Sequence, residues 1–226
     1  RRSSDLWQIT LWQGAVVFRS FGNLYLYNGN SITTHKPKTI ITALHIEEDR
    51  LFIGSNYGEI FEFTDDTFSS FAENTLNESS IIELSTYEEA LLAGTRRQGI
   101  FALQNGTFTS WGTPELKAFL EVNELNKIQP VSEELVIIGT VKGGILYYNP
   151  KTGSLKNHFR QNGLQNNTVL SLHRDEQKVW IGLDNGIDVV LPDTPIQYLL
   201  DNTGQLGAVY DLATFKGSLY AGSNTG

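Results

Sequence analysis

Five times along the chain a run of bulky apolar residues stops at a glycine, passes through a short polar turn and resumes after a second glycine. The copies are Leu51-F-I-G-S-N-Y-Gly58, Leu91-L-A-G-T-R-R-Q-Gly99, Val136-I-I-G-T-V-K-Gly143, Val179-W-I-G-L-D-N-Gly186 and Leu219-Y-A-G-S-N-T-Gly226. Their first glycines, Gly54, Gly94, Gly139, Gly182 and Gly222, follow one another at steps of 40, 45, 43 and 40 residues. Self-similarity at such a period marks stacked structural units. A weaker copy, Val17-F-R-S-F-Gly22, carries Arg19 in the glycine slot.

Each unit reads as four strands. An apolar segment such as Ile41-T-A-L-H-Ile46, Ile81-I-E-L-Ser85, Thr168-V-L-S-L-His173 or Val209-Y-D-L-Ala213 comes first. It is separated from the glycine segment by a polar hairpin turn. The second segment is apolar at consecutive positions, as in Leu51-F-Ile53 and Val179-W-Ile181, so both of its faces must be covered. A third segment (Ile60-F-E-Phe63, Ile145-L-Y-Tyr148) and a fourth, alternating and more polar (Thr67-F-S-S-Phe71, Ser154-L-K-N-H-Phe159), complete the unit. Antiparallel four-stranded sheets of this length, stacked through a doubly covered middle strand, are the blades of a β-propeller. The chain is therefore predicted to be all-β and to form one partial propeller over residues 1–226. Its blades are expected near 5–35, 40–71, 80–111, 127–159 and 168–199, with an incomplete one at 208–226. The first glycines are assigned to the tight turn and to close approach of the neighbouring blade. A phosphate-cradling role is set aside because such loops open a helix, whereas these open a strand.

One segment carries a more specific signature. Gly163-L-Q-N-N-T-V-L-S-L-H-R-D-E-Q-K-V-W-I-G-L-D-N-G-Ile187 resembles the two-component regulator propeller repeat, with Leu183 where that repeat has threonine. The resemblance implies the extracytoplasmic, periplasmic sensor region of a hybrid two-component histidine kinase. There, seven-bladed propellers precede a β-sandwich, a membrane span and the kinase. It further implies an oligosaccharide ligand, contact with the rest of the parent chain and a possible homodimer. No cofactor, metal site or catalysis is implied for this segment.

Charge supports a narrow choice of partners. The net charge is −8 with no basic run, which argues against nucleic acid or an anionic membrane surface as partner. Cysteine is absent, so disulfides and thiolate-bound metals are excluded and the redox compartment stays open. Ligands of propellers gather where the turns between second and third strands and the connections between blades share one rim. The residues placed there are Asn56, Tyr57, Arg96, Arg97, Lys142, Asp184 and Asn185. Arg96 and Arg97 suit a carboxylate or sulfate on a sugar, and Tyr57 or Trp111 suits a sugar ring face.

The insertion Gly112 to Leu125 predicts a short helix that starts at Pro114 on the same rim. His45 and His173 each stand nine residues before their glycine and are expected in the core or along the channel. His35 and His158 close outer strands and are expected to be exposed. Glu47, Glu48, Asp49, Glu133 and Glu134 occupy hairpin turns and read as solubilising charge. Two rival functions stay open: a scaffold that grips other proteins, and a propeller lyase or hydrolase whose acid and base come from distant blades.

Overall fold

The computed structural model describes residues 6–72, 76, 79–192, 209–215 and 218–223, the last two segments by their backbone apart from Tyr210 and Tyr220. It is an all-β propeller in which every sheet is built from strands consecutive in sequence. Blade one comprises β1 (Gln8–Trp12), β2 (Ala15–Arg19), β3 (Leu24–Tyr27) and β4 (Ile32–His35). Blade two follows with β5 (Ile41–Glu47), β6 (Arg50–Ser55), β7 (Ile60–Thr64) and β8 (Thr67–Ala72). Blade three holds β9 (Ile81–Tyr87), β10 (Ala90–Thr95), β11 (Ile100–Gln104) and β12 (Thr107–Trp111). Helix α1 (Pro114–Asn123) then leads to blade four, made of β13 (Leu125–Ser132), β14 (Leu135–Thr140), β15 (Ile145–Tyr148) and β16 (Leu155–His158). Three strands of blade five, β17 (Val169–Asp175), β18 (Lys178–Leu183) and β19 (Ile187–Val190), precede the hairpin of β20 (Val209–Phe215) and β21 (Ser218–Ser223). The fourth strand expected for blade five and the turn that ends in Gly226 lie outside the described residues.

The doubly covered second strand is present where the sequence places it. In β6 every residue after Arg50 is buried, and in β10 all six are. In β18 the pattern alternates instead, and Trp180, the counterpart of the fully buried Phe52, is 41 % exposed. The apolar clusters lie between blades and not within them. One unites Val17 and Leu24 with Leu51 and Ile53, the next Phe52 and Ile60 with Ile81 and Leu91. A third unites Leu92 with Leu125, Ile138 and Tyr148, and the last Ile137 with Val169 and Ile181. Full burial of one such side chain contributes about 1.5–3 kcal/mol, so each interface is a core of its own.

The two glycines of the motif divide the labour that the sequence assigned to the first alone. A β-carbon on Gly54 would stand 2.7 Å from Cγ2 of Ile81, and one on Gly139 would stand 2.5 Å from Cγ1 of Val169. On Gly94 it would meet Leu125. In these three blades close approach is therefore the task of the first glycine, and the neighbour it admits is the first residue of the next blade; at Gly182 the added carbon would meet the Ser171 hydroxyl of its own blade. The turn belongs to the second glycine, with φ +82° at Gly58, +96° at Gly99 and +97° at Gly186. In blade four that residue is Gly144, at +74°, one position after the expected Gly143. Gly222 pairs with Asp211 in the β20–β21 hairpin, which repeats the register of Gly54 with Ala43 and Gly182 with Ser171.

A feature without a sequence signal recurs beside each glycine. The first strand gains one residue there, at Thr42, Ile82, Asn126, Leu170 and Tyr210, between register partners. Such β-bulges bend the strand and turn the preceding residue toward the neighbouring blade. Asn126 uses its extra position to donate from Nδ2 to the carbonyl of Val169 at 2.7 Å, bridging blades four and five.

These contacts predict a steric contrast between glycines. Gly139→Ala should destabilise the fold by about 1–3 kcal/mol through overpacking against Val169. Gly22→Ala, with ordinary φ and nothing within 4 Å of the added carbon, should change stability by less than about 0.5 kcal/mol. Urea denaturation of both variants measures the difference; equal effects would refute the close-approach role.

Candidate functional site

The rim proposed from sequence exists as a physical unit. In blades two, four and five the turn between second and third strands is hydrogen-bonded to the connection that enters its own blade, and in blade three Arg96 O accepts from Leu125 N at the entry of blade four. Asn56 N donates to Ile40 O at 3.2 Å, Val141 N to Glu124 O at 2.8 Å and Asp184 N to Thr168 O at 3.0 Å. The turns are closed from within by the hydroxyl after the first glycine. Thr95 Oγ1 donates to Gly99 O and accepts from Gln98 N, and Thr140 does the same with Gly144 and Gly143. Ser55 accepts from Tyr57 N and Glu59 N. Leu183 offers no such group in blade five.

Three of the predicted cations converge there. Arg97 Nη2 and Lys142 Nζ bond the same oxygen of Glu124, Oε1, at 2.5 and 2.6 Å, and Arg96 Nη1 lies 3.9 Å from Oε2. Arg96 and Arg97 come from the blade-three turn, Lys142 from the blade-four turn, and Glu124 from the end of α1. The helix forms as the insertion predicts, with Pro114 at its start and the Thr113 hydroxyl accepting from Leu116 N. Glu124 ends it in a left-handed conformation at φ 61°. Its N–H donates to Leu120 O, and its side chain is only 11 % exposed. Hydrogen bonds from Lys142 and Arg97 hold this carboxyl down at about 2. Glu124 has no sequence signal, because its role depends on two turns 45 residues apart meeting over a helix end. The expected grip on an acidic sugar is thus occupied by an internal carboxylate.

The other candidates separate. Asn56 is half buried and its Oδ1 accepts from Thr39 Oγ1 and Ile40 N, a structural clasp. Tyr57 is 54 % exposed, and Asp184 and Asn185 are exposed on the blade-five turn. Trp111 does not share a site with Arg97. Its indole sits half-buried between blades three and four, near-perpendicular to Tyr87 (5.5 Å, 67°) and to Tyr148 (5.3 Å, 71°). There it lines a groove of about 790 Å³ toward the opposite rim, together with Gln104, Ser110, Glu89, Glu133 and Arg174. Tyr87 Oη donates to Glu133 O at 2.6 Å and ties the two walls together. Turn acids read from sequence as solubilising charge are therefore partly groove walls.

The histidines need correction. His35 is only 12 % exposed at its side chain, 4.8 Å from the Phe63 ring and 3.5 Å from Asp66. His158 is half buried, and burial lowers its pKa. At His35 the outer strand of blade one packs against blade two, to which both Phe63 and Asp66 belong. His45 lies between blades, bonded at 2.8 Å to Thr86 Oγ1, whose hydroxyl donates to Glu47. His173, in the equivalent slot of blade five, is exposed.

These sheets, interfaces and turns define a β-propeller. Comparison with solved structures gives the same class. The extracellular domain of the putative hybrid two-component system BT4673 from B. thetaiotaomicron superposes with a TM-score of 0.66 at 22 % identity over 85 % of this chain and 27 % of its own. That of BT3049 from the same organism gives 0.65 at 17 % over 98 % of this chain and 33 % of its own. The WD40 β-propeller domain of Doa1 gives 0.57 at 12 % over 82 % and 64 %. The chain thus spans about a third or less of the two sensor ectodomains it matches. A scan of protein-family models and a search of curated proteins find no match. Among the described residues, no helix is long and apolar enough to cross a membrane.

The Glu124 cluster predicts an acid-sensitive contact. Its folded-state value lies below the ordinary 4.5, so the ionised carboxylate stabilises the fold fully above about pH 4.5 and loses that contribution as pH falls toward about 2. The melting-temperature gap between wild type and Glu124→Gln should be widest near neutrality and should close on acidification. A gap that does not change with pH would refute the ionic role.

Proposed function

We propose that this chain is part of the extracytoplasmic sensing region of a hybrid two-component regulator and responds to an oligosaccharide. The observation that carries the reading is the superposition of 98 % of the chain on the extracellular domain of the BT3049 hybrid two-component system. The repeat signature from Gly163 to Ile187 supports it independently. In this reading the segment binds and releases its ligand without breaking a bond. The signal is a population shift: the ligand favours one arrangement of the propeller against the rest of the parent chain, a further propeller, a β-sandwich or a second copy. The apolar cores between blades suit that task, because blades locked to their neighbours move as a rigid body. The periplasm is the compartment that this assignment entails.

The scaffold reading keeps one supporting observation, the likeness to the WD40 domain of Doa1. The two separate in a thermal-shift screen of defined oligosaccharides followed by product analysis. A sensing segment at about one hundred times the dissociation constant gains about 2.7 kcal/mol, a rise of roughly 5–10 °C for a chain of this size. That rise should occur with the sugar recovered intact. Cleaved product would assign a lyase or hydrolase, and no shift with any saccharide would overturn the carbohydrate assignment.

A further inference from the structure

We propose that the groove between blades three and four seats a neutral oligosaccharide, with the indole of Trp111 as the platform for one sugar ring. This rests on the sensing reading above and names its site, away from the turn rim that the sequence favoured. The groove volume, about 790 Å³, falls within the roughly 300–1,000 Å³ range of small-molecule sites. Its walls are held before any ligand arrives. Tyr87 Oη binds the Glu133 carbonyl across the interface, Tyr87 and Tyr148 fix the plane of the indole, and Gly94 admits Leu125 beneath them. A site that needs no ordering on binding retains more of its interaction energy as affinity.

The chemistry of the lining selects the ligand. Among the described residues, no protein group bonds the Trp111 indole N–H or the side chains of Gln104, Ser110 and Arg174. The groove therefore offers donors and acceptors that only solvent or a ligand can satisfy. An aromatic face beside such groups matches a sugar, which has one apolar C–H face and a rim of hydroxyls that both donate and accept. Glu88, Glu89 and Glu133 line the groove with one cation, Arg174, and a second, Lys151, pairs with Glu133 at 2.7 Å, which leaves one more carboxylate than cations. That balance repels uronic and sulfated sugars and admits neutral ones. The cations suited to acidic sugars, Arg96, Arg97 and Lys142, face Glu124 on the other rim.

The test is titration of the intact chain with neutral tetrasaccharides of gluco-, xylo- and manno- type, read by calorimetry and tryptophan fluorescence. At least one should bind. Trp111→Ala should weaken it by about tenfold or more, as loss of a buried aromatic anchor does. Ser110→Arg, on the exposed strand β12 and away from the core, should block the groove to a similar degree. Tyr57→Ala, on the opposite rim, should bind as wild type does. Trp111→Phe keeps an aromatic ring and should retain most of the affinity, which separates platform loss from misfolding. Binding of a neutral sugar unaffected by Trp111→Ala and Ser110→Arg overturns the site and leaves the sensing reading intact. Selective binding of sulfated or uronic sugars, or of a cationic peptide, overturns the ligand class. Silence toward every saccharide overturns the carbohydrate assignment together with the site.

Discussion

The structure depends on the absence of one atom, the β-carbon of the glycine in the second strand of blades two, three and four. Where Gly54, Gly94 and Gly139 stand, the first residue of the following blade, Ile81, Leu125 or Val169, fills the space a methyl group would need. The side chain thereby seals the interface at the end of the blade from which the turns emerge. The bulge beside each glycine aims that side chain, so the two devices act together: one opens the slot and the other fills it. Because the apolar clusters all straddle interfaces, stability is distributed as nearest-neighbour terms along the chain. A change at one glycine is felt first by the two blades that share it.

This constraint also explains what the sequence reveals. The glycine of the second strand recurs in blades two to five, and the apolar run before it recurs with it, so the period is written openly from Leu51 to Gly186. The helix is legible for a local reason as well, since Thr113 and Pro114 supply a cap and a fixed first turn. The bulges are silent because the extra residue, Thr42 in one blade, Asn126 or Leu170 in others, needs only to be accommodated and has no required side chain.

The candidate site is harder to read than the fold because its members belong to different blades. Arg96 and Lys142 are visible as polar turn residues, yet their meeting point, Glu124, depends on how far α1 carries the chain before blade four begins. Trp111 is visible as an aromatic at the end of an outer strand. Its partners Tyr87, Tyr148 and Glu133 are set by the angle between two sheets, a quantity that strand patterns do not encode. The histidines make the same point in reverse: His45 and His173 hold one slot in the repeat, yet His45 is partly buried and bonded to Thr86 whereas His173 is exposed.

Blade one shows how the rule can be broken. Arg19 occupies the glycine slot and is 6 % exposed, so a large cation lies where the other blades admit an aliphatic side chain. Its Nη1 donates to the carbonyl of Ile41 at 2.9 Å, replacing steric closure by a hydrogen bond to the same residue that Ile81 and Val169 represent elsewhere. Burial lowers its pKa to about 10, partly offset by Glu83, so it stays charged near neutral pH. Glu83 is bonded in turn to Lys127 Nζ at 2.7 Å. Burial raises the pKa of Glu83, against the pull of Lys127 and Arg19. Glu83 and Lys127 thus join blades three and four by a salt bridge, and the charge of Arg19 in blade one acts on Glu83 from beyond salt-bridge distance. A buried ionic set gains less stability than apolar packing of equal volume, but it is directional. Its attraction acts between blades one and three across blade two, whereas the glycine contacts join only neighbouring blades.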